Sequence, residues 1–167
     1  MHEKTKKLTI AALMSAMVCV ATMIVKIPSP MKGYVNLGDP VVLLCGWLLG
    51  PGYGFAAAGL GSALADLFSG YVVYAPATFA IKGGMAVIAV LLFKLLKRRL
   101  GALPAQIVGG ALAELFMVLG YFVFEGFLYG FAPSVVNIPA NAAQGVVGLV
   151  LGVVLARVLK RLRRPAE

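Results

Sequence analysis

The sequence predicts an all-α integral membrane protein, a bundle of six transmembrane helices with both termini in the cytoplasm. Hydrophobic residues make up 61% of the 167 residues and charged residues only 13%, and the mean hydropathy is +0.96. Soluble domains are far less apolar. Because a spanning helix needs about 20 apolar residues, six spans would occupy roughly 120 residues and leave only short loops. We therefore expect a single transmembrane domain over residues 1–167.

Proline and glycine mark the breaks between the apolar segments. Asp39-Pro40 is typical of a helix start, with Asp39 as N-cap and proline at the first helical position. Gly50-Pro51-Gly52 predicts a tight break between a short second helix and the third. The stretches SPMKGYVNLG and EGFLYGFAPS are predicted to be loops. The resulting spans cover approximately residues 8–27, 40–49, 53–68, 77–96, 104–124 and 138–159.

The charge distribution gives the orientation of these helices. The net charge of +9 would also suit a nucleic-acid-binding protein, but the basic residues flank the ends of apolar spans, which is the positive-inside pattern of membrane proteins. Only Lys26 and Lys32 fall in predicted outer loops, and Lys82 falls within a span. The other twelve form three clusters: Lys4, Lys6 and Lys7; Lys94, Lys97, Arg98 and Arg99; Arg157, Lys160, Arg161, Arg163 and Arg164.

Polar side chains converge in the outer third of the predicted bundle. At 1.5 Å per residue, Asp66 lies about 20 Å along the third helix, and Lys82 lies near the outer start of the fourth. An ionised group facing lipid costs at least ~2.5 kcal/mol at the bilayer centre, so these groups should line an interior cavity. We predict that the substrate-binding residues are Asn36, Asp66, Tyr71, Tyr74, Lys82, Glu114, Glu125, Asn137, Asn141 and Gln144.

Several of these residues have a second interpretation. Asp66 and Lys82 could form a purely structural ion pair, and the amides could serve only to join helices. Tyr71 and Tyr74, with Tyr34, could stack on a planar ligand or occupy the aromatic belt at the membrane surface. Glu114, near the midplane, could contact ligand, exchange a proton or be a protonated carboxyl held by a hydrogen bond.

Small residues mark three helix faces. Gly54, Ala58, Ser62 and Asp66 follow each other at four-residue steps in the third helix, and the sixth helix carries a similar stripe that begins at Asn141. Such stripes let helices approach closely. In the first helix, Ala12 and Ala16 predict either internal packing or a docking surface for a second membrane protein.

No residue pattern indicates an enzyme. The chain has no G-x-x-x-x-G-K-[ST] phosphate loop, and its one histidine, His2, excludes a histidine-based triad or zinc cluster within the membrane. We therefore predict no catalytic residue, no metal site and no cofactor. Cys19 and Cys45 lie in apolar spans and do not form a disulfide framework.

At this point the sequence resembles the substrate-binding S components of energy-coupling factor (ECF) vitamin transporters. The resemblance is carried by YVNLGDPVVLLCGWLLGPGYG and GSALADLFSGYVVYAPATFAIKG, by the Ala12-x-x-x-Ala16 pattern and by the Asn/Pro-rich start of the sixth helix. It extends over essentially the whole chain. The branch most similar is the one tied to riboflavin, hydroxymethylpyrimidine or pyridoxine-type substrates.

This resemblance implies a prokaryotic plasma-membrane protein that captures a vitamin or vitamin precursor from outside under the loop between the first two helices. Its first helix would dock on a transmembrane coupling protein driven by two ATPase subunits. A small pyrimidine or pyridine compound is the favoured ligand. The alternative is a self-associating small channel or permease that works without an ATPase partner.

Overall fold

The computed structural model describes residues 2–29 and 33–162. Within these residues, five helical stretches are long and apolar enough to cross a membrane, judged by length and composition. The last of them runs over Phe131–Leu162 and includes a 3₁₀ turn at Val135–Asn137. The elements are α1 (His2–Ile24), β1 (Lys26–Pro28), β2 (Tyr34–Asn36), α2 (Asp39–Phe68), α3 (Ala75–Leu100), α4 (Ala102–Tyr129), α5 (Phe131–Ser134) and α6 (Ile138–Leu162).

The long helix α2 is broken at Gly50 into two helical segments. Gly50 has φ 81° and ψ −176°, and Pro51 follows it. A Cβ placed on Gly54 would lie 2.8 Å from the carbonyl oxygen of Cys45. A straight helix would separate these two residues by about 13 Å, so the chain turns back on itself at Gly50. The predicted break at Gly50-Pro51-Gly52 is present.

The basic clusters and the strand pair occupy opposite ends of the bundle. α2 lies between α1 and α3, α3 lies against α4, and α6 closes the bundle against α4 and α2. The first turns of α1 and the last turns of α3 and α6 carry the basic residues, and we call this end the basic end. The other end, where β1 and β2 lie, is the hairpin end. Lys32, Arg163 and Arg164 lie outside the described residues.

The predicted small-residue stripes are buried. Gly54, Ala58, Ser62 and Asp66 all face the interior of the bundle. In α6, the residues Asn141, Gly145, Gly148 and Gly152 do the same. A Cβ on Gly148 would lie 2.7 Å from the Cβ of Asp39, so this glycine allows α6 to approach the start of α2.

Three sequence predictions of local structure need correction. α1 ends at Ile24, and Ile27 belongs to β1, which pairs antiparallel with β2 through Ile27 and Val35. The predicted loop after the first helix therefore contains a short strand pair. Its hydrogen bonds join two separate segments, so the sequence pattern of either segment alone does not show the pairing. α4 continues to Tyr129, so Glu125 lies within a helix and not at its end.

Candidate functional site

A polar cavity lies at the hairpin end of the bundle, between the strand pair and helices α1, α2, α3, α4 and α6. Its volume is about 30 Å³. Of the ten predicted substrate-binding residues, all but Glu114 and Asn137 line it. The full lining consists of Thr22, Ser29, Gly33, Tyr34, Asn36, Ser62, Asp66, Tyr71, Tyr74, Thr78, Lys82, Tyr121, Glu125, Asn141 and Gln144.

Lys82 forms an ion pair with Asp39, which corrects two predictions. The Lys82 Nζ contacts Asp39 Oδ1, and both side chains are almost fully buried. Lys82 therefore does not pair with Asp66, as the structural interpretation supposed. Asp39 is also not a helix N-cap, because it is the first helical residue and Gly38 precedes it in the capping position without a side-chain cap. Its carboxylate instead lies inside the bundle. A buried charge requires an oppositely charged partner, and Lys82 is that partner.

Gln144 connects this ion pair to the strand pair. Its Nε2 donates to Asp39 Oδ2 at 2.6 Å, and its Oε1 accepts from the backbone N–H of Asn36 at 2.7 Å. The side chain of Asn36 in turn accepts from the backbone N–H of Gly38 at 2.9 Å. α2, α3, α6 and the segment that covers the cavity are thus joined by one hydrogen-bonded chain.

Aromatic rings form one wall of the cavity. The ring centroids of Tyr34 and Tyr71 are 4.7 Å apart, those of Tyr71 and Tyr74 are 6.3 Å apart, and Tyr74 packs edge-on against Phe124 at 5.3 Å. The Tyr34 hydroxyl donates to Asp66 Oδ1 at 2.6 Å. Burial, and after it the Asp66 carboxylate, raises the pKa of Tyr34 well above its usual value, so that the phenol stays protonated and keeps donating.

Glu125 lies beside Tyr74 of this aromatic wall. Its Oε1 accepts from Asn137 Nδ2 at 2.9 Å and from the Tyr74 hydroxyl at 3.4 Å. Asn137, predicted to contact ligand, lies behind Glu125 and outside the cavity lining. Its position at the end of the 3₁₀ turn makes it a support for the carboxylate.

Glu114 lies beside the ion pair, away from the cavity. It is only 5% exposed, and neither carboxylate oxygen has a hydrogen-bond partner among the described residues. A Cβ on Gly148 would lie 2.8 Å from Glu114 Oε1, which shows how closely α6 covers this carboxyl group. Glu114 does not line the cavity, and no described residue supplies the hydrogen bond that one of its three predicted roles requires.

Four lining side chains present buried oxygens without a hydrogen-bond partner among the described residues. They are Thr22 Oγ1, Ser62 Oγ, Asp66 Oδ2 and Glu125 Oε2. Buried polar groups in proteins are nearly always hydrogen-bonded, so four such oxygens around one cavity indicate a place for a polar ligand. The two carboxylate oxygens accept hydrogen bonds, which favours a ligand that carries donors.

Sequence reasoning did not select several lining residues. Thr22, Ser29, Ser62, Thr78 and Tyr121 also line the cavity, and the Tyr121 hydroxyl donates to Thr78 at 3.1 Å within its wall. Ser62 and Asp39 had signals that could have identified them. Ser62 lies one turn before Asp66 on the same stripe, and Asp39 is an acid next to an apolar span.

Comparison with known proteins gives the family. The model of the ECF-type riboflavin transporter S component matches residues 2–161. The chain belongs to the ECF-type S-component family. S components are substrate-binding subunits and not enzymes, and they work in the prokaryotic plasma membrane as multi-pass proteins with a transmembrane T component and ATPases.

Individual relatives agree with this assignment. An uncharacterized protein in a gap 3′ region of Pyrococcus woesei is 39% identical over 145 residues, covering 86% of this chain and 95% of the relative. The thiamine precursor transporter HmpT of Lactococcus lactis subsp. cremoris (strain MG1363) is 26% identical over 162 residues, covering 96% of this chain and 91% of the relative.

Two solved structures share the fold. The S component of a bacterial ECF transporter superposes with a TM-score of 0.75 at 25% identity, covering 96% of this chain and 99% of that one. The S component for biotin from an ECF-type ABC transporter gives a TM-score of 0.69 at 19% identity, covering 95% and 93%. The S-component fold of this chain is therefore established over nearly its whole length.

Proposed function

We propose that this S component captures a small aminopyrimidine precursor of thiamine, of the hydroxymethylpyrimidine type, in the cavity at the hairpin end. The observation that carries the proposal is the set of four buried oxygens without partners on Thr22, Ser62, Asp66 and Glu125. An aminopyrimidine with a hydroxymethyl group supplies donors for the two carboxylates. The similarity to the thiamine precursor transporter HmpT supports the same class of ligand.

The shape of the cavity also suits a flat, small ligand. Tyr34, Tyr71 and Tyr74 present aromatic surface along one side, on which a heterocyclic ring can stack. The cavity volume of about 30 Å³ is well below the roughly 300 Å³ of a small ligand pocket. Binding of any vitamin therefore requires the strand pair to move away from the cavity. A single-ring ligand requires the smallest movement.

Each predicted site residue has a proposed role. Asp66, Glu125 and Asn141 hydrogen-bond the ligand, and Tyr71 and Tyr74 stack on it. The ion pair of Lys82 with Asp39 forms the floor of the cavity. Gln144 and Asn36 connect this floor to the strand pair that covers the cavity. Asn137 orients Glu125, and Glu114 lies behind the floor, where it contributes to the electrostatic environment of the ion pair.

The proposed topology has six spans in a single domain of residues 1–167. The chain reversal at Gly50 divides α2 into residues 39–49 and 51–68, which act as the second and third spans. The basic end then faces the cytoplasm together with both termini, as the positive-inside rule requires. The cavity opens to the outside, where the vitamin is captured.

A riboflavin-type ligand is the second candidate. The observation in its favour is the match to the riboflavin S-component family model, together with the row of three tyrosines, which would also stack on a three-ring system. Its larger size requires a wider opening of the covering segment than a pyrimidine does.

Ligand titration of the purified full-length chain in detergent distinguishes the two. We expect hydroxymethylpyrimidine to bind at least tenfold more tightly than riboflavin, and biotin not to bind, as measured by calorimetry and native mass spectrometry. Asp66→Asn and Asn141→Ala should each weaken that binding by roughly tenfold, the size of one or two lost hydrogen bonds. Glu3→Gln, on the exposed first turn of α1, is the matched control.

Tighter binding of riboflavin than of hydroxymethylpyrimidine would contradict the proposed ligand and favour the riboflavin-type ligand. If hydroxymethylpyrimidine binds but both cavity variants retain its full affinity, the site assignment is wrong.

A further inference from the structure

A second pocket lies at the basic end of the bundle, between the last turns of α3 and α6 and the first turns of α4. Its volume is about 360 Å³. Four cationic side chains surround it: Lys97 from α3, and Arg157, Lys160 and Arg161 from α6. Lys97 lies 15 residues beyond Lys82, so the pocket is separated from the substrate cavity by about 22 Å along α3.

None of the residues that line this pocket is acidic. Among the described residues, the acid nearest along α4 is Glu114, two turns or about 12 Å beyond Gln106, which lines the pocket. Among the described side chains, the ion pair of Lys82 with Asp39 lies toward the hairpin end and does not neutralise any cation of this pocket. Four like charges around one pocket repel each other, and a bound anion would relieve this repulsion.

The backbone of α4 adds to the preference for an anion. Ala102, at the first position of this helix, and Gln106, one turn later, both line the pocket. The first N–H groups of a helix have no partner within the helix and carry partial positive charge. Gln106 adds an amide that can donate to an oxyanion.

The rest of the wall is apolar, which distinguishes a lipid from a free phosphate. Phe93 and Ala156 line the pocket on the side toward the bundle, and Lys97 lies over the Phe93 ring at 5.6 Å. On the outer surface of α6, Val154 lies one turn before Arg157 on the same helix face and is 51% exposed. A phosphate group in the pocket can therefore continue into acyl chains that lie along this surface.

We propose that this basic pocket binds the headgroup of an anionic phospholipid from the membrane leaflet at the basic end. The cations contact the phosphate, and the apolar wall contacts the glycerol and the first carbons of the chains. Basic pockets between transmembrane helices are suited to anionic lipid headgroups, and each Lys or Arg near a membrane surface adds to the attraction. The bound lipid would hold the ends of α3, α4 and α6 together.

Native mass spectrometry of the purified full-length chain, titrated with phosphatidylglycerol or phosphatidylcholine, tests the proposal. The pocket variant carries Lys97→Gln, Arg157→Gln, Lys160→Gln and Arg161→Gln. The control variant removes the same charge outside the pocket, with Lys4→Gln, Lys94→Gln, Arg98→Gln and Arg99→Gln. We expect the pocket variant to lose phosphatidylglycerol affinity by roughly tenfold or more, and the control by less than about threefold.

Single variants keep the test valid if the fourfold variant does not fold, as judged by circular dichroism and elution volume. Arg157→Gln and Lys97→Gln should each lower phosphatidylglycerol affinity more than Arg98→Gln does. Equal losses in pocket and control variants would overturn the proposal in favour of diffuse surface charge. Equal binding of phosphatidylcholine, or displacement of phosphatidylglycerol by millimolar inorganic phosphate, would also overturn it.

Discussion

Lys82 is 2% exposed, and a charge buried away from water requires a partner within the protein. The ammonium group contacts Asp39, and the second oxygen of that carboxylate is held by Gln144. A buried ion pair contributes little net stability, because desolvation of both groups offsets their attraction. Loss of one partner is different, since it leaves a charge in a dry interior. The floor of the cavity is therefore sensitive to single substitutions.

We predict that Asp39→Asn destabilises the protein by about 3–5 kcal/mol, because it removes the ion-pair partner of the buried Lys82 side chain. Lys82→Met should cost a similar amount. The double variant should be more stable than the sum of the two single effects predicts, since it removes both charges. Thermal unfolding in detergent measures all three.

Lys26→Met is the matched control, because the Lys26 side chain is exposed and its Nζ donates to Ser69 Oγ at 2.9 Å. Its effect should stay within about 1 kcal/mol. Additive single effects in the double variant would contradict a direct ion pair between Lys82 and Asp39.

At the scale of elements, glycine decides how closely α6 approaches the rest of the bundle. Gly148 faces both the Cβ of Asp39 and the carboxylate of Glu114, so the two acids and the helix meet at this one position. The stripe of small residues in α6 therefore has a particular function. It brings Asn141 and Gln144 to the cavity while it lets the helix lie directly on the start of α2.

We predict that Gly148→Ala destabilises the protein by about 1–3 kcal/mol, because the new methyl group would lie 2.7 Å from the Asp39 Cβ and 2.8 Å from Glu114 Oε1. Gly52→Ala is the matched control, since nothing lies within 4 Å of a Cβ there. Thermal unfolding of both variants in the same detergent compares them. A Gly148→Ala protein as stable as Gly52→Ala would mean that α6 is not held against α2 as described.

At the scale of the whole molecule, α1 has one face buried against the bundle and one face exposed. Ala11 and Met14 are buried against the bundle, whereas Ala12 and Ala16 are exposed. The alternative that Ala12 and Ala16 serve internal packing is therefore wrong for this chain. A smooth exposed face within a helix suits close approach by another membrane helix. This agrees with an S component that works with a T component and ATPases.

We predict that Ala12→Leu combined with Ala16→Leu abolishes vitamin uptake and co-purification with the coupling complex, while the isolated chain retains its ligand affinity. The larger side chains prevent close helix contact on this face but touch nothing inside the bundle. Co-purification with a tagged coupling protein and uptake by cells measure the effect. Leu13→Ala, also on the exposed side, is the control for a general change of surface. Full association of the double variant would exclude this face as the docking surface.

The sequence by itself determined the membrane class, the break at Gly50, the buried stripes of α2 and α6 and eight of the fifteen residues that line the cavity. Each of these follows from a local signal: apolar length, Pro and Gly at fixed positions, or polar residues at helical spacing within an apolar segment. The covering strand pair, the continuation of α4 past Glu125 and the partner of Lys82 were decided only by the tertiary structure. These features depend on contacts between residues far apart in the chain. The sequence suggested Asp66 as an ion-pair partner of Lys82, but the packing of α2 against α3 and α6 brings Asp39 to the lysine and leaves Asp66 in the cavity wall.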